Sequence, residues 1–129
     1  MVFKGTEEEI EVNGIRYVQK YLTNKMGVEK NGLKCVLIRS NSAGVHFGYL
    51  KKEEFTLCGK VVVLLDTRRI WYWNGAASLS QIALEGVLHP KDCKFSVEIP
   101  EIEIVNVVET IPLTEKAVKN LYGVPVWKA

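Results

Sequence analysis

The feature that most constrains the fold is a run of β-favouring segments with turn signals between them. Between residues 33 and 74 these segments read "LKCVLIRS", "VHFGYLKK", "FTLCGKVVVLLD" and "RRIWYWNG". "NSAG" separates the first two and predicts a hairpin in which Gly44 adopts positive φ. A second break falls near Cys58-Gly59. No alternation of strands and helices of Rossmann length follows, so the pattern predicts an antiparallel sheet.

Two helices and further strands complete the predicted body. Ser78, with Gln81 three residues later and Gly86 beyond, predicts a capped helix. Thr114 and Gly123 bracket the second, "TEKAVKNLYG". Between them "KFSVEI" and "EIEIVNVVETI" are predicted strands, with Phe95, Val97 and Ile99 on one face and Ile102, Ile104, Asn106 and Val108 on another.

The N-terminal part is predicted to be separate. Asn13-Gly14 lies between β-favouring segments, with Ile10 and Val12 before it and Ile15, Tyr17 and Val18 after it, which indicates a two-residue hairpin. The polar segment "KYLTNKMGVEKNG" indicates a linker, in which a short helix is an alternative. We therefore expect an α+β fold: a small twisted antiparallel sheet or partial barrel, two short helices and an N-terminal hairpin. Residues 1–30 form the hairpin and linker, and residues 31–129 form one compact ligand-binding domain.

Composition limits the classes of partner. The formal net charge of +2 over 129 residues is too small for a dedicated duplex-DNA or membrane binder, so local cations must meet any anionic ligand. Three cysteines without a CxxC pair indicate reduced thiols in a cytosol. "MVFKGTEEEIEV" lacks the apolar region of a signal peptide. We expect a soluble intracellular protein without membrane contact.

Catalytic and metal-binding motifs are missing. The two histidines, His46 and His89, belong to no HExxH or related metal motif, and neither GxSxG nor a P-loop occurs. We expect no catalytic residue, metal or cofactor, although a cysteine–histidine nucleophile pair remains a minor alternative.

The stretch "TRRIWYWN" is the main candidate site. On a strand, Arg69, Trp71 and Trp73 would share one face, opposite Arg68, Ile70 and Tyr72. One interpretation is a nucleotide-binding wall, because guanidinium pairs with phosphate and indole stacks on a base. The other is a packed strand whose tryptophans are core, with Arg69 extended over them.

Two further features have a structural and a functional interpretation. Gly44 and Gly48 flank His46 and Phe47, which indicates either a bulged hairpin or a close approach of backbone to a ligand. Asn106 interrupts an apolar strand, so its amide is expected to be buried and bonded to backbone or to ligand.

Three segments together resemble a family of small phage and prophage proteins. They are "IRSNSAGVHFG", "RRIWYWNGAASLSQIALEGV" and "PEIEIVNVVETIPLTEKA", and the resemblance extends from about residue 33 to 114. This family in turn resembles the Thoeris anti-defence proteins. The N-terminal hairpin resembles a short accessory element at the start of many phage proteins.

The resemblance implies a function in the host cytoplasm. It implies a sponge that binds a cyclic ADP-ribose isomer without cleaving it, and in some members the cyclic trinucleotides of CBASS systems. It also implies a homo-oligomer, a dimer or hexamer, with the pocket between subunits, and arginine, aromatic and asparagine contacts that match Arg68 or Arg69, Phe95 and Asn106. A single-stranded nucleic-acid or protein interaction module and a small hydrolase are the alternatives. The predicted ligand-binding residues are Arg39, His46, Phe47, Arg68, Arg69, Trp71, Trp73, Phe95 and Asn106.

Overall fold

The N-terminal hairpin is present as predicted. The structure, a computed structural model, describes residues 27–128 and the backbone of three short strands before them. These strands are β1 (Val2–Phe3), β2 (Ile10–Val12) and β3 (Ile15–Arg16), and they pair antiparallel. Val12 pairs with Ile15 across the Asn13-Gly14 dipeptide, which confirms the hairpin. The predictions for Tyr17, Val18 and residues 20–26 of the linker lie outside the described residues.

The body is a six-stranded antiparallel sheet. Its strands are β4 (Glu29–Lys30), β5 (Leu33–Ser40), β6 (Gly44–Thr56), β7 (Gly59–Tyr72), β8 (Lys94–Phe95) and β9 (Ile99–Pro112). β4 to β8 pair in sequence order, while β9 pairs with β7 through its first part and with β5 through its last. The predicted antiparallel sheet is confirmed, although the sheet is not a clear barrel.

A bulge in β7 sets the faces of the sheet around the candidate site. Tyr49 pairs with Leu65 but Phe47 pairs with Arg68, so two β7 residues lie opposite Gly48. One of them, Asp66, has φ 48°. A Cβ atom on Gly48 would lie 2.8 Å from the Leu65 carbonyl oxygen, so this position requires glycine. Of the two interpretations of Gly48, the structure therefore agrees with the bulge.

The first helix, α1 (Leu79–Glu85), begins and ends where the sequence predicts. The Ser78 hydroxyl accepts a hydrogen bond from the Gln81 N–H at 3.2 Å. The Gln81 side chain accepts from the Ala77 N–H at 2.9 Å, one residue before the N-cap. Gly86 ends the helix with φ 80°.

The second helix, α2 (Glu115–Tyr122), is also confirmed, and its cap joins the two helices. The Thr114 hydroxyl accepts from the Ala117 N–H at 3.1 Å and donates to the Leu84 carbonyl at 2.7 Å. This one side chain therefore satisfies the start of α2 and the end of α1.

Buried apolar residues form two clusters. The helix-side core lies where the sheet meets both helices, and its largest members include Phe47, Phe95, Leu37, Ile82, Leu113 and Leu121. The strand core consists of Val36, Ile38, Val62, Leu64, Ile104 and Val107. β5 contributes alternating residues to both clusters and so is buried on two faces, while β7 contributes Val62 and Leu64 to the strand core and Ile70, beyond its bulge, to the helix-side core.

The predictions for the strands after the first helix are wrong in two respects. β8 ends at Phe95 and β9 starts at Ile99, so Val97 belongs to an irregular segment. In β9, Asn106 has φ 55° and lies where the pairing with β7 shifts by one residue. The shift turns Val107 into the core and leaves Asn106 and Val108 exposed.

Candidate functional site

A cleft of about 220 Å³ opens beside β7. Its lining residues are His46, Thr67, Arg69, Trp71, Ser96, Val97, Ile99 and Ile102. Thr67, Arg69 and Trp71 alternate along β7 and so share one face of it, and His46 pairs with Arg69 from β6. The cleft is thus built on rigid strands, with one wall from the irregular segment after β8.

Two polar atoms in this cleft have no hydrogen-bond partner within the described part of the chain. They are the Thr67 hydroxyl and the Nε of Arg69, and both are buried. Arg69 also forms no salt bridge with any described carboxylate. Buried polar groups are bonded in most proteins, because an unbonded one costs about 1–3 kcal/mol. Neither atom reaches solvent, so a ligand in the cleft could bond them only if its binding moves these side chains.

His46 is the third polar group of the cleft, and it is neutral at pH 7. Its side chain is buried, and its Nε2 lies 2.8 Å from the Ala43 carbonyl oxygen. Burial lowers the pKa of His46, and the nearby Arg69 charge lowers it further, against the opposing effect of the Ala43 carbonyl. Since a carbonyl only accepts, Nε2 carries the proton and Nδ1 is an acceptor.

The rim of the cleft is apolar and aromatic. Trp71 is 52 % exposed, and Val97 and Ile99 beside it are exposed as well. Trp71 meets Trp127 edge to face, with ring centroids 5.6 Å apart. An exposed indole next to an arginine without a carboxylate partner suits a flat ligand that carries negative charge.

Arg68, on the opposite face of β7, is structural. It is 3 % exposed, and it donates to the Ser96 carbonyl at 2.8 Å and to the Leu121 carbonyl at 3.0 Å, while its Nη2 is buried without a partner among the described residues. Its guanidinium also lies over the Phe95 ring. Burial lowers the pKa of Arg68, while the Glu98 charge opposes this. Arg68 thus attaches the C-terminal end of α2 to the sheet, and Arg69 is the arginine at the cleft.

Three predicted aromatic ligand contacts lie elsewhere. Phe47 and Phe95 have no exposed surface and pack edge to face in the helix-side core. Trp73 follows the end of β7, packs against the same core and donates from Nε1 to the Ala76 carbonyl at 3.1 Å. The prediction that Trp73 shares a face with Trp71 is wrong, because the strand ends between them.

Two predicted polar contacts also lie away from the cleft. Arg39 is exposed and pairs with Glu109 on β9. Asn106, expected to be buried, is exposed and donates to the Ser42 hydroxyl at 3.2 Å. Of the predicted ligand-binding residues, the structure therefore brings together His46, Arg69 and Trp71.

Sequence reasoning assigned no ligand contact to five lining residues, Thr67, Ser96, Val97, Ile99 and Ile102, or to Trp127 at the rim. Thr67 and Trp127 illustrate the reasons. Nothing in the sequence distinguishes Thr67 from other strand residues, and its position at the cleft depends on the bulge at Asp66. Trp127 lies in the C-terminal segment, more than fifty residues from Trp71 in sequence. Periodicity could not have found either one, because periodicity describes neighbours along a single element.

The described part of the chain consists of residues 27–128 and the three short strands before them. In that part, no three side chains of His, Cys, Asp or Glu are placed to hold a metal ion. Neither described helix has the length and apolarity to cross a membrane.

The comparisons with known proteins give a family but no ligand. A family model described as "Domain of unknown function (DUF6948)" matches residues 33–121. The match begins with β5 and ends within α2, so it includes most of the sheet and the β7 part of the cleft. Searches of the curated proteins and of the solved structures found no significant match. Because the matched region is more than half of the chain, this protein belongs to the DUF6948 family, a domain of unknown function.

Proposed function

We propose that the protein is a phage anti-defence sponge that binds a cyclic nucleotide signal in the host cytoplasm and holds it without cleaving it. The proposed ligand is a cyclic ADP-ribose isomer, and cyclic oligonucleotides are a second proposed class of ligand. The observation that carries the proposal is the Arg69 guanidinium, with an unbonded Nε, beside the exposed Trp71 in one cleft.

The polar groups of the cleft support a phosphate ligand. Arg69 offers Nε–H, and Thr67 offers a hydroxyl, which can donate to a phosphate oxygen. Both atoms have no exposed surface, so they reach an anion only if binding moves these side chains, and they then regain the partner that folding removed.

The aromatic rim supports a ligand that also carries a base. Stacking on an indole is worth about 1–3 kcal/mol for each base. The apolar neighbours Val97, Ile99 and Ile102 would exclude water around such a ring. A phosphate group at Arg69 and a base at Trp71 are the two parts that a nucleotide provides.

The size of the cleft supports a shared pocket. At about 220 Å³ the cleft is below the roughly 300–1,000 Å³ of typical small-molecule sites. We therefore propose that a second copy of the chain closes the cleft in a homo-oligomer, a dimer or a hexamer. Sedimentation with and without ligand measures this, and a protein that stays monomeric when saturated would contradict it.

Titration calorimetry tests the function. The ligands are cyclic ADP-ribose isomers, cyclic di- and trinucleotides, and single-stranded oligonucleotides of increasing length. We expect micromolar or tighter binding of a cyclic compound, and intact ligand in the supernatant after heat denaturation. Arg69→Gln should weaken binding about 10- to 100-fold, because a charged hydrogen bond is lost. Arg39→Gln is the matched control, since Arg39 is an arginine outside the cleft.

Three outcomes would reject the proposal. The first is an absence of binding by every cyclic compound. The second is affinity that rises with oligonucleotide length and falls steeply with salt, which would indicate a single-stranded nucleic-acid module. The third is release of a cleaved product, which would indicate a hydrolase.

A further inference from the structure

The C-terminal segment runs beside β8 and reaches the rim of the cleft. Val126 forms a parallel bridge with Phe95, and the Trp127 N–H donates to the Phe95 carbonyl at 2.9 Å. Since Phe95 is fully buried, this pairing anchors the segment to a fixed part of the sheet. Trp127 is therefore held in place by backbone bonds, although its side chain is at the surface.

The two indoles form a corner that is open to solvent. Trp71 and Trp127 lie edge to face with an angle of 71° between their planes, and they remain 52 % and 43 % exposed. A pair that served only packing would be expected to bury more of this surface. The corner adjoins the cleft, because Trp71 is a lining residue.

A second cation lies at this corner. The Lys94 Nζ is 5.2 Å from the centre of the Trp127 ring. Like Arg69, Lys94 has no salt bridge to a carboxylate among the described residues. Trp127 thus has a cation over its ring and Trp71 has one two positions before it on β7, and neither cation pairs with a carboxylate of the described residues.

We propose that Trp127 and Lys94 form the outer half of the ligand site, and that the site takes a base joined to two phosphate groups. The indole corner stacks the base and Lys94 meets the outer phosphate, while Arg69 and Thr67 meet the inner one. This inference rests on the proposed function, and it narrows the ligand to the nucleoside diphosphate class. It also assigns a contact to Trp127, which lies beyond the matched residues 33–121.

The test compares a base-containing probe with a base-free one. Calorimetry measures binding of cyclic ADP-ribose, ADP-ribose and inorganic pyrophosphate to the whole chain and to three variants. Trp127→Ala should weaken both base-containing probes about 5- to 150-fold, the range for one stacked base, and leave pyrophosphate unchanged. Trp127→Tyr should restore most of the loss. Arg69→Gln should weaken all three probes.

Phe55→Ala provides the matched control. Phe55 is an aromatic residue that is 80 % exposed and does not line the cleft, so its removal should change no affinity. Thermal melting of each variant confirms that the fold is intact, since Trp127 is anchored through its backbone. Quenching of tryptophan fluorescence by ADP-ribose gives an independent readout, which should be reduced in Trp127→Ala.

The outcomes separate this inference from the proposed function. If the folded Trp127→Ala variant binds ADP-ribose as tightly as the unaltered protein, the outer half of the site is refuted and the sponge proposal stands. Equal losses of ADP-ribose and pyrophosphate would also refute the stacking role. If the unaltered protein binds none of the three probes, this inference fails, while the sponge proposal fails only if the cyclic di- and trinucleotides and the other cyclic ADP-ribose isomers do not bind either.

Discussion

Replacing Thr67 with valine should stabilise the protein while weakening its ligand binding. The Thr67 hydroxyl is buried and has no hydrogen-bond partner among the described residues, so folding removes its hydration without compensation. That loss costs about 1–3 kcal/mol, and valine has the same shape without the cost. Because valine also favours strands, we expect the free energy of unfolding to rise by about 1–3 kcal/mol.

Urea unfolding and thermal melting measure this change. For a chain of this size, each kcal/mol corresponds to a shift of roughly 3–6 °C in Tm. The matched control is Thr114→Val, which removes a hydroxyl that is equally buried but fully bonded to Ala117 and Leu84. It should lower the free energy of unfolding by about 1–3 kcal/mol, because the cap and the Leu84 carbonyl both lose a partner.

Thr67→Val and Thr114→Val should change the free energy of unfolding in opposite directions. If Thr67→Val lowers the free energy of unfolding as Thr114→Val does, the Thr67 hydroxyl has a structural partner and is not available for a ligand. A stabilised variant that also binds a phosphate compound about 5- to 10-fold more weakly would agree with a hydroxyl reserved for binding.

The remaining predictions concern pH, the bulge and the aromatic residues. Burial lowers the pKa of His46 in the folded protein, so the unfolded chain takes up a proton on this side chain first as pH falls below about 6.5. The free energy of unfolding should therefore decrease from pH 7.5 to pH 5, and its slope against pH should be shallower in His46→Asn. Gly48→Ala should cost about 1–3 kcal/mol, since the new Cβ would meet the Leu65 carbonyl at 2.8 Å, and an unchanged urea midpoint would contradict this. Phe95→Ala should cost about 3–5 kcal/mol and Trp71→Ala about 1 kcal/mol, so equal losses in thermal melting would show that Trp71 is a core residue.

Local features were predictable because they depend on residues close together in sequence. The hairpin at Asn13-Gly14, the turn before Gly44 and the caps at Ser78 and Thr114 all formed as expected. Each depends on hydrogen bonds or φ angles within about four residues. The strand at residues 33–40 was predicted correctly for a similar reason, because its continuous apolar run suits a strand buried on both faces.

The faces of the long strands were not predictable, because bulges change the alternation. In β9 the irregularity at Asn106 moved Val107 into the core and left the asparagine in solvent. Phe47 and Phe95 were placed at the ligand because their aromatic character is the same in a core and in a site. Only the packing of both helices against the sheet distinguishes the two cases.

The sequence by itself determined that Arg68 and Arg69 lie on opposite faces of a strand, since neighbouring side chains alternate. It did not determine which arginine faces the cleft. The bulge at Asp66 decided this by shifting the alternation by one residue, and at this bulge the chain of β7 lies too close to Gly48 of β6 for any side chain there. The contact joins elements of different strands, and so only the tertiary structure could place Arg69 and Trp71 at the cleft and send Arg68 to the end of α2.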